Sequence, residues 1–193
     1  MAQPDPGRLA GFVAEGSARV DEVVDLYVDT ASGDGALRAA GLRARLRVSD
    51  RGIVLAVKGR SSIAADGVTT RMELEAPATA GLDPQAWPAS DARTLVIATI
   101  GEVALVEIAA LRQRRQVRML RRNDALVELS VDELAAIDAD GSSLGMRVEL
   151  EAELKAGPPD ALSDLAHALA AVGGTGPPLG SKLEFALAAR TER

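Results

Sequence analysis

Cysteine is absent from this sequence, which excludes disulfides, thiolate metal sites and cysteine nucleophiles and makes a reducing cytoplasm the expected location. Aromatic residues are scarce, at 2% of the chain, so the core has to rest on alanine, valine and leucine. There is one histidine, His167, and any metal would be held by oxygen ligands or by that imidazole. No apolar run is long enough to span a bilayer; the strongest runs only from Leu95 to Ile100. The opening, Met1 to Gly16, lacks the basic-then-apolar layout of a signal peptide. A soluble, unexported protein with no membrane partner is expected.

What the chain does have is charge in an ordered pattern. Glu149 to Lys155 alternates charged with apolar residues, and successive side chains of a strand face opposite ways. Glu149, Glu151 and Glu153 would therefore form one row backed by Leu150, Ala152 and Leu154. Like charges so close need cations or water to offset their repulsion. Arg43, Arg45 and Arg47 alternate in the same manner, as do Arg112, Arg114, Gln116 and Arg118. The rows either converge on one site for a polyanion and a metal, or are each the solvated face of a sheet. A net charge of −6 argues against nucleic acid as a partner, and the six arginines between Arg112 and Arg122 imply a local target.

A length of 193 residues suits one domain, 1–193. Pro4 to Gly16 reads as a short helix without strand character, with Pro6 near its start and Gly16 as its stop. Val23 to Asp29 reads as a strand and Asp34 to Gly41 as a helical turn. Leu42 to Val48 and Ile53 to Lys58 form a hairpin about Ser49-Asp50-Arg51-Gly52, in a register that brings Lys58 to the arginine face. Thr69 to Ala76 sets Arg71, Glu73 and Glu75 opposite Met72, Leu74 and Ala76. Gly81 to Pro88 is a loop, and Ser90 caps a helix through Ile100 that Gly101 ends. Strands resume at Val103 to Met119 and Ala125 to Val131. Gly157 to Asp160 opens an amphipathic helix with Leu162, Leu165, Ala166 and Leu169 on one side and Gly173-Gly174 as its stop. Lys182 to Ala189 alternates again and reads as a last strand. The sum is an α+β chain of seven or eight mostly antiparallel strands. The apolar faces could meet inside a sandwich or point outward beneath helices around a charged lumen, and periodicity leaves both open.

In order and spacing, several of these pieces resemble the CYTH domain, or triphosphate tunnel metalloenzyme, family. They are Tyr27-Val28-Asp29-Thr30; Gly41 to Arg47 followed by Ala56-Val57-Lys58; Arg71 to Glu75; Arg112 to Arg115; Val127 to Asp132; Glu149 to Gly157; and Ser181 to Glu184. The resemblance covers residues 25–189 and implies an antiparallel, about eight-stranded tunnel-like β-barrel with a charged lumen and flanking helices. By the same resemblance Arg45, Arg47, Lys58, Arg112, Arg114 and Lys182 would grip phosphate, while Glu73, Glu75, Asp132, Glu151 and Glu153 would hold Mg²⁺ or Mn²⁺. Guanidinium forks do match phosphate oxygens, and carboxylates suit hard cations. Arg115, Arg118, Arg121 and Arg122, which the motif leaves unmatched, are expected as outer-face or turn charges. His167 is expected at the surface, Trp87 in packing, and Tyr27 and Asp29 in a structural role at a strand end.

The family's opening strand carries Glu-x-Glu-x-Lys, and no such spacing exists before Tyr27, where the acidic residues are Asp5, Glu15, Asp21, Glu22 and Asp25. Residues 1–24 are atypical, and no catalytic residue is assigned. Lys182 is followed by Phe185 and Ala186 where the family often has an arginine. The resemblance implies metal-dependent hydrolysis of inorganic triphosphate or a small organic triphosphate. The alternatives are a degenerate domain that binds polyphosphate or nucleotide without turnover and, third, an adenylate cyclase. The sequence leaves the oligomeric state open, a homodimer included.

Overall fold

The computed structural model describes residues 9–31, 33–63, 69–172 and 180–191. Its strands are β1 (Val13–Thr30), β2 (Arg43–Ser49), β3 (Gly52–Ile63), β4 (Thr69–Ala78), β5 (Leu105–Arg122), β6 (Ala125–Ile137) and β7 (Ser143–Ala156). They form one antiparallel sheet in the order β4-β3-β2-β1-β5-β6-β7, curled into a half-barrel. The helices are α1 (Ala36–Ala39), α2 (Asp91–Ile100), α3 (Asp160–Ala171) and α4 (Lys182–Thr191). The architecture is the expected α+β one, with seven strands among the described residues.

Local chemistry sets the turns. Ser49 Oγ accepts from Arg51 N at 3.2 Å and donates to Gly52 O at 3.3 Å, closing the β2–β3 hairpin in the register that sets Lys58 opposite Arg43. Ser90 Oγ accepts from Arg93 N at 3.2 Å, satisfying one of the otherwise unpaired amides at the start of α2.

Two apolar clusters lie on the outer face of the sheet. Val28, Leu46, Leu55 and Val57 pack beneath Val96 and Ile100 of α2, with Trp87 buried beside them. Leu120, Val127 and Leu129 pack beneath Leu165 and Leu169 of α3. Burial of these leucines and valines, at roughly 25 cal/mol per Å² of apolar surface, fixes which face turns outward. The helix α4 lies on the opposite, inner face, where Leu183 and Ala186 meet Tyr27, Ala109, Leu111 and Ala136.

Three expectations are corrected. The helix over Pro4 to Gly16 is not present in its described part: Leu9 to Gly11 form a turn, closed by Phe12 N donating to Leu9 O at 2.9 Å, and β1 starts at Val13. Its first half, through Arg8, lies outside the described residues. Leu9 and Phe12 are apolar because they pack into the α3 cluster, and Gly16 stands at a register shift between Glu15 and Arg19, not at a helix end. Pairing with β5 from Val13 opposite Arg121 to Thr30 opposite Leu105 overrides the local helical signal, so β1 is far longer than the strand expected at Val23 to Asp29.

The second correction is Lys182 to Ala189, which is helix α4 and not a strand. Ser181 N donates to Glu184 Oε2 at 2.7 Å and Glu184 N donates to Ser181 Oγ at 3.2 Å, a reciprocal cap that starts a helix. Lys182, Leu183 and Ala186 are the buried positions, a helical spacing. Third, β5 and β6 run past the ends expected at Met119 and Val131, to Arg122 and Ile137. The amphipathic helix is α3, and its expected stop at Gly173-Gly174 lies outside the described residues.

Candidate functional site

Charge collects on the inner face, and cross-strand register shows how. Glu73 and Glu75 of β4 oppose Lys58 and Ala56 of β3, which in turn oppose Arg43 and Arg45 of β2. Arg45 and Arg47 oppose Tyr27 and Asp25 of β1. On the other side of β1, Asp21 and Val23 oppose Arg115 and Gln113 of β5. Arg115 opposes Asp132 of β6, and Asp132 and Ser130 oppose Glu149 and Glu151 of β7. Residues directly opposite share a face, so one lateral band links the basic β2–β3 side to the acidic β7 side.

Asp25 anchors the basic side. Its buried carboxylate accepts from Arg45 Nη1 at 2.9 Å, from Arg47 Nε and Nη2 at 2.8 and 2.9 Å, and from Gln113 Nε2. Burial alone would push this carboxyl up, but the charge of Arg45 and the Arg47 and Gln113 hydrogen bonds outweigh it and hold the group below the usual carboxylate range. Arg45 Nε and Gln113 Oε1 are buried there without a hydrogen-bond partner.

Beside Arg45, Lys58 Nζ lies 2.8 Å from Glu73 Oε1, and Arg71 Nε lies 3.6 Å from Glu73 Oε2. Burial and the neighbouring Arg45 charge lower the Lys58 ammonium to about 8, against the pull of Glu73.

Asp132 anchors the acidic side. It accepts from Arg115 Nε at 3.0 Å and from Lys182 Nζ at 2.5 Å. The same ammonium lies 3.1 Å from Glu151 Oε2 and 3.8 Å from Glu149 Oε2. Arg115 Nη2 is 3.6 Å from Glu151, and Arg147 pairs with Glu149. Burial raises Asp132, but the Lys182 and Arg115 charges prevail and lower it. Glu149 is raised, because burial, with Glu151 and Asp132 adding repulsion, outweighs Lys182 and Arg147.

Of the residues expected at the site, Arg45, Arg47, Lys58, Glu73, Glu75, Asp132, Glu151 and Glu153 share this face by register, and Lys182 reaches it from α4. Lys182 sits among the carboxylates, away from the arginine row. Glu153 is exposed and paired with Lys155 at 2.8 Å. Arg112 and Arg114 are not brought in. They stand opposite Val24 and Glu22 on the outer face, where Arg112 Nη2 donates to Gly141 O at 3.0 Å and Arg114 pairs with Glu22 and Glu133. Arginine occurs at both parities of β5, so alternation cannot tell which set faces inward.

Asp25, Gln113, Arg115 and Arg147 also stand on the inner face, and none of the four is an expected site residue; Arg115, expected as an outer-face or turn charge, turns inward. A signal for Arg115 existed. The Asn123-Asp124 loop sets Arg122 opposite Ala125, and counting back along the hairpin sets Arg115 opposite Asp132.

Of the five carboxylates expected to hold a divalent metal, all but Glu75 are engaged by protein cations and do not fit one as arranged. Asp132 and Glu151 are turned onto Lys182 and Arg115, Glu73 onto Lys58 and Arg71, and Glu153 onto Lys155. Among the described residues no group of three or more acidic or histidine side chains is disposed to bind a metal ion.

The family model described as the CYTH domain matches residues 15–184. No curated protein matches the chain. Among solved structures, a proposed adenylyl cyclase from Hippeastrum, described as having a dominant triphosphatase activity, superposes with a TM-score of 0.65 at 20% identity, over 97% of this chain and 88% of that one. A proposed adenylate cyclase from Bacillus halodurans gives 0.56 at 16% identity, over 86% and 82% of the two chains. The PH1819 protein of Pyrococcus horikoshii OT3 gives 0.51 at 18% identity, over 94% and 91%.

Proposed function

Because this chain belongs to the CYTH domain family, we propose that its inner face binds a triphosphate-type anion on the basic side built by β2 and β3. The observation that carries the reading is the set Arg43, Arg45, Arg47 and Lys58, turned to one face of two adjacent strands and continued across β1 by Arg115. Guanidinium N–H groups pair with phosphate oxygens in a geometry a lysine cannot reproduce, and partial burial strengthens each contact. Asp25 fixes Arg45 and Arg47 before any ligand arrives, so little side-chain entropy is lost on binding. Arg45 is 9% exposed and acts as the floor; Arg43, Arg47, Lys58 and Arg115 are more accessible and make the contacts.

Hydrolysis of the bound triphosphate, with a divalent cation as the family resemblance suggests, is the second reading. It is favoured by the triphosphatase activity described for the Hippeastrum protein. Asp132, Glu73, Glu149, Glu151 and Glu153 on this face pair with protein cations, with which a divalent ion would have to compete. Adenylate cyclase activity ranks third, since the described residues of the inner face offer charge suited to phosphate and carry no mark of adenine recognition.

Calorimetric titration with inorganic triphosphate tests the first reading, beside a phosphate-release panel with triphosphate, ATP and thiamine triphosphate under Mg²⁺, Mn²⁺ or chelator. Saturable binding should weaken at least about tenfold in an Arg43→Ala, Arg47→Ala double variant and stay unchanged in an Arg112→Ala, Arg114→Ala one. Equal losses in both pairs would remove the inner face as the site. Phosphate release by wild-type protein would add the enzymatic reading, and cyclic AMP from ATP would bring in the third.

A further inference from the structure

The acidic side of the inner face contains an arrangement that the anion reading does not use. Three carboxylates from two strands, Asp132, Glu149 and Glu151, converge on one nitrogen, Lys182 Nζ, at 2.5, 3.8 and 3.1 Å. The lysine comes from a different element, and its side chain is 9% exposed. Its position is built: the Ser181–Glu184 reciprocal cap starts α4 at this residue, and Leu183 and Ala186 seat the helix on Tyr27, Ala109, Leu111 and Ala136.

We propose that the Lys182 ammonium is the resident cation of this carboxylate cluster, standing where a divalent metal would otherwise bind, and that removing its charge opens the cluster to a metal. Carboxylate oxygens gathered around a compact positive centre are what a hard divalent cation requires, and an ammonium is a compact point charge. Charge balance supports the exchange. Asp132, Glu149 and Glu151 carry three negative charges, and Lys182, Arg115 and Arg147 supply three positive ones, so the cluster is neutral as it stands. A divalent ion entering it would bring two uncompensated charges beside a buried ammonium. Without Lys182 the same count leaves one net negative charge and a set of oxygens lacking their central cation. The proposal holds whether or not the basic side binds triphosphate.

Manganese titration followed by the electron paramagnetic resonance of free Mn²⁺ tests it on wild type, Glu151→Gln, Lys182→Met and Lys182→Met with Glu151→Gln, each checked for folding by circular dichroism. Wild type should show no saturable site that Glu151→Gln removes. Lys182→Met should gain a one-to-one site at least about tenfold tighter than any wild-type binding, as expected for removal of a like charge about 4 Å away. The added Glu151→Gln should abolish that gain. Should Lys182→Met fail to fold, Lys182→Gln keeps an N–H donor for Asp132 and carries the same expectation. A wild-type Mn²⁺ site lost on Glu151→Gln would overturn the proposal, as would a folded Lys182 variant with no gain.

Discussion

Arg47 grips Asp25 in a two-pronged pair, Nε to Oδ1 at 2.8 Å and Nη2 to Oδ2 at 2.9 Å, at a carboxylate that solvent does not reach. Arg45 shares that carboxylate, and the two arginines hold the centre of the basic side in place. Removing one partner of a buried pair leaves an uncompensated charge. Asp25→Ala is therefore expected to destabilise the protein by about 3–5 kcal/mol, measured as the shift in urea denaturation midpoint. Asp25→Asn, which keeps a hydrogen-bond acceptor, should lose less. A loss within about 0.5 kcal/mol for Asp25→Ala would mean that the arginines do not depend on it.

Lys58 gives the face a pH dependence. Its ammonium, lowered to about 8, loses its charge well below the ordinary lysine range. Triphosphate affinity should therefore fall as pH rises from about 7 to about 9, while Lys58→Arg, charged throughout, should bind with little change over that interval. Stability runs the other way. The unfolded chain holds more protons at this group between about 8 and the ordinary lysine value, so the Lys58 contribution grows more favourable as pH rises through that window. Calorimetry at the two pH values, on wild type and Lys58→Arg, separates the effects; an identical pH slope in both proteins would exclude Lys58 from the site.

The strand-by-strand alternation of charge made most of this face legible before any coordinates. The arginines of β2, Lys58, the Glu73–Glu75 pair and the β7 glutamates all lie where a two-residue period puts them, since each belongs to a strand whose other face is plainly apolar. Alternation failed where a strand lacks that contrast. β5 carries arginine at both parities and its inner face is partly apolar under α4, so alternation does not separate Arg115 from Arg112 and Arg114, and the resemblance points to the outward pair. It failed again at Lys182 to Ala189, whose charged–apolar alternation masked a capping box. Asp25 was passed over because a lone aspartate among valines shows no pattern. Its importance lies in two arginines from another strand.

Asp132 should make the protein sensitive to acid in a way its replacement removes. Its folded value lies below the ordinary aspartate value of 3.8, so its contribution is fully present above that value and is lost as pH falls through the lower, folded one. Glu149 has the opposite sign. Its folded value is raised above 4.5, so its contribution is complete below that value and is lost as pH rises through the folded one. Asp132→Asn should flatten the acid limb of a stability–pH curve, and Glu149→Gln should cost little at neutral pH. Thermal melts across about pH 2 to 7 check both, and an Asp132→Asn curve as steep as wild type below the ordinary aspartate value would remove the first assignment.

Asp29 closes the other end of β1 by accepting from Thr30 N at 2.8 Å, Leu37 N at 2.9 Å and Arg38 N at 3.0 Å, which fastens α1 to the strand. Gly35 makes this possible. Its φ of 80° and ψ of 141° suit only glycine, and a Cβ there would lie 2.3 Å from Asp29 Cγ and Oδ2. Gly35→Ala therefore carries both a backbone cost of about 1–3 kcal/mol and the loss of charge-assisted hydrogen bonds worth about 1.5–3 kcal/mol. Gly33, with a φ of 54° and nothing within 4 Å of its would-be Cβ, carries the backbone cost alone. Denaturation midpoints of the two alanine variants should thus differ by at least about 1 kcal/mol, with Gly35→Ala the less stable. The same double comparison on an Asp29→Ala background should shrink the gap, since the collision and the cap vanish together. Equal losses at Gly33 and Gly35 in the wild-type background would mean that the Asp29 carboxylate does not hold α1 in place.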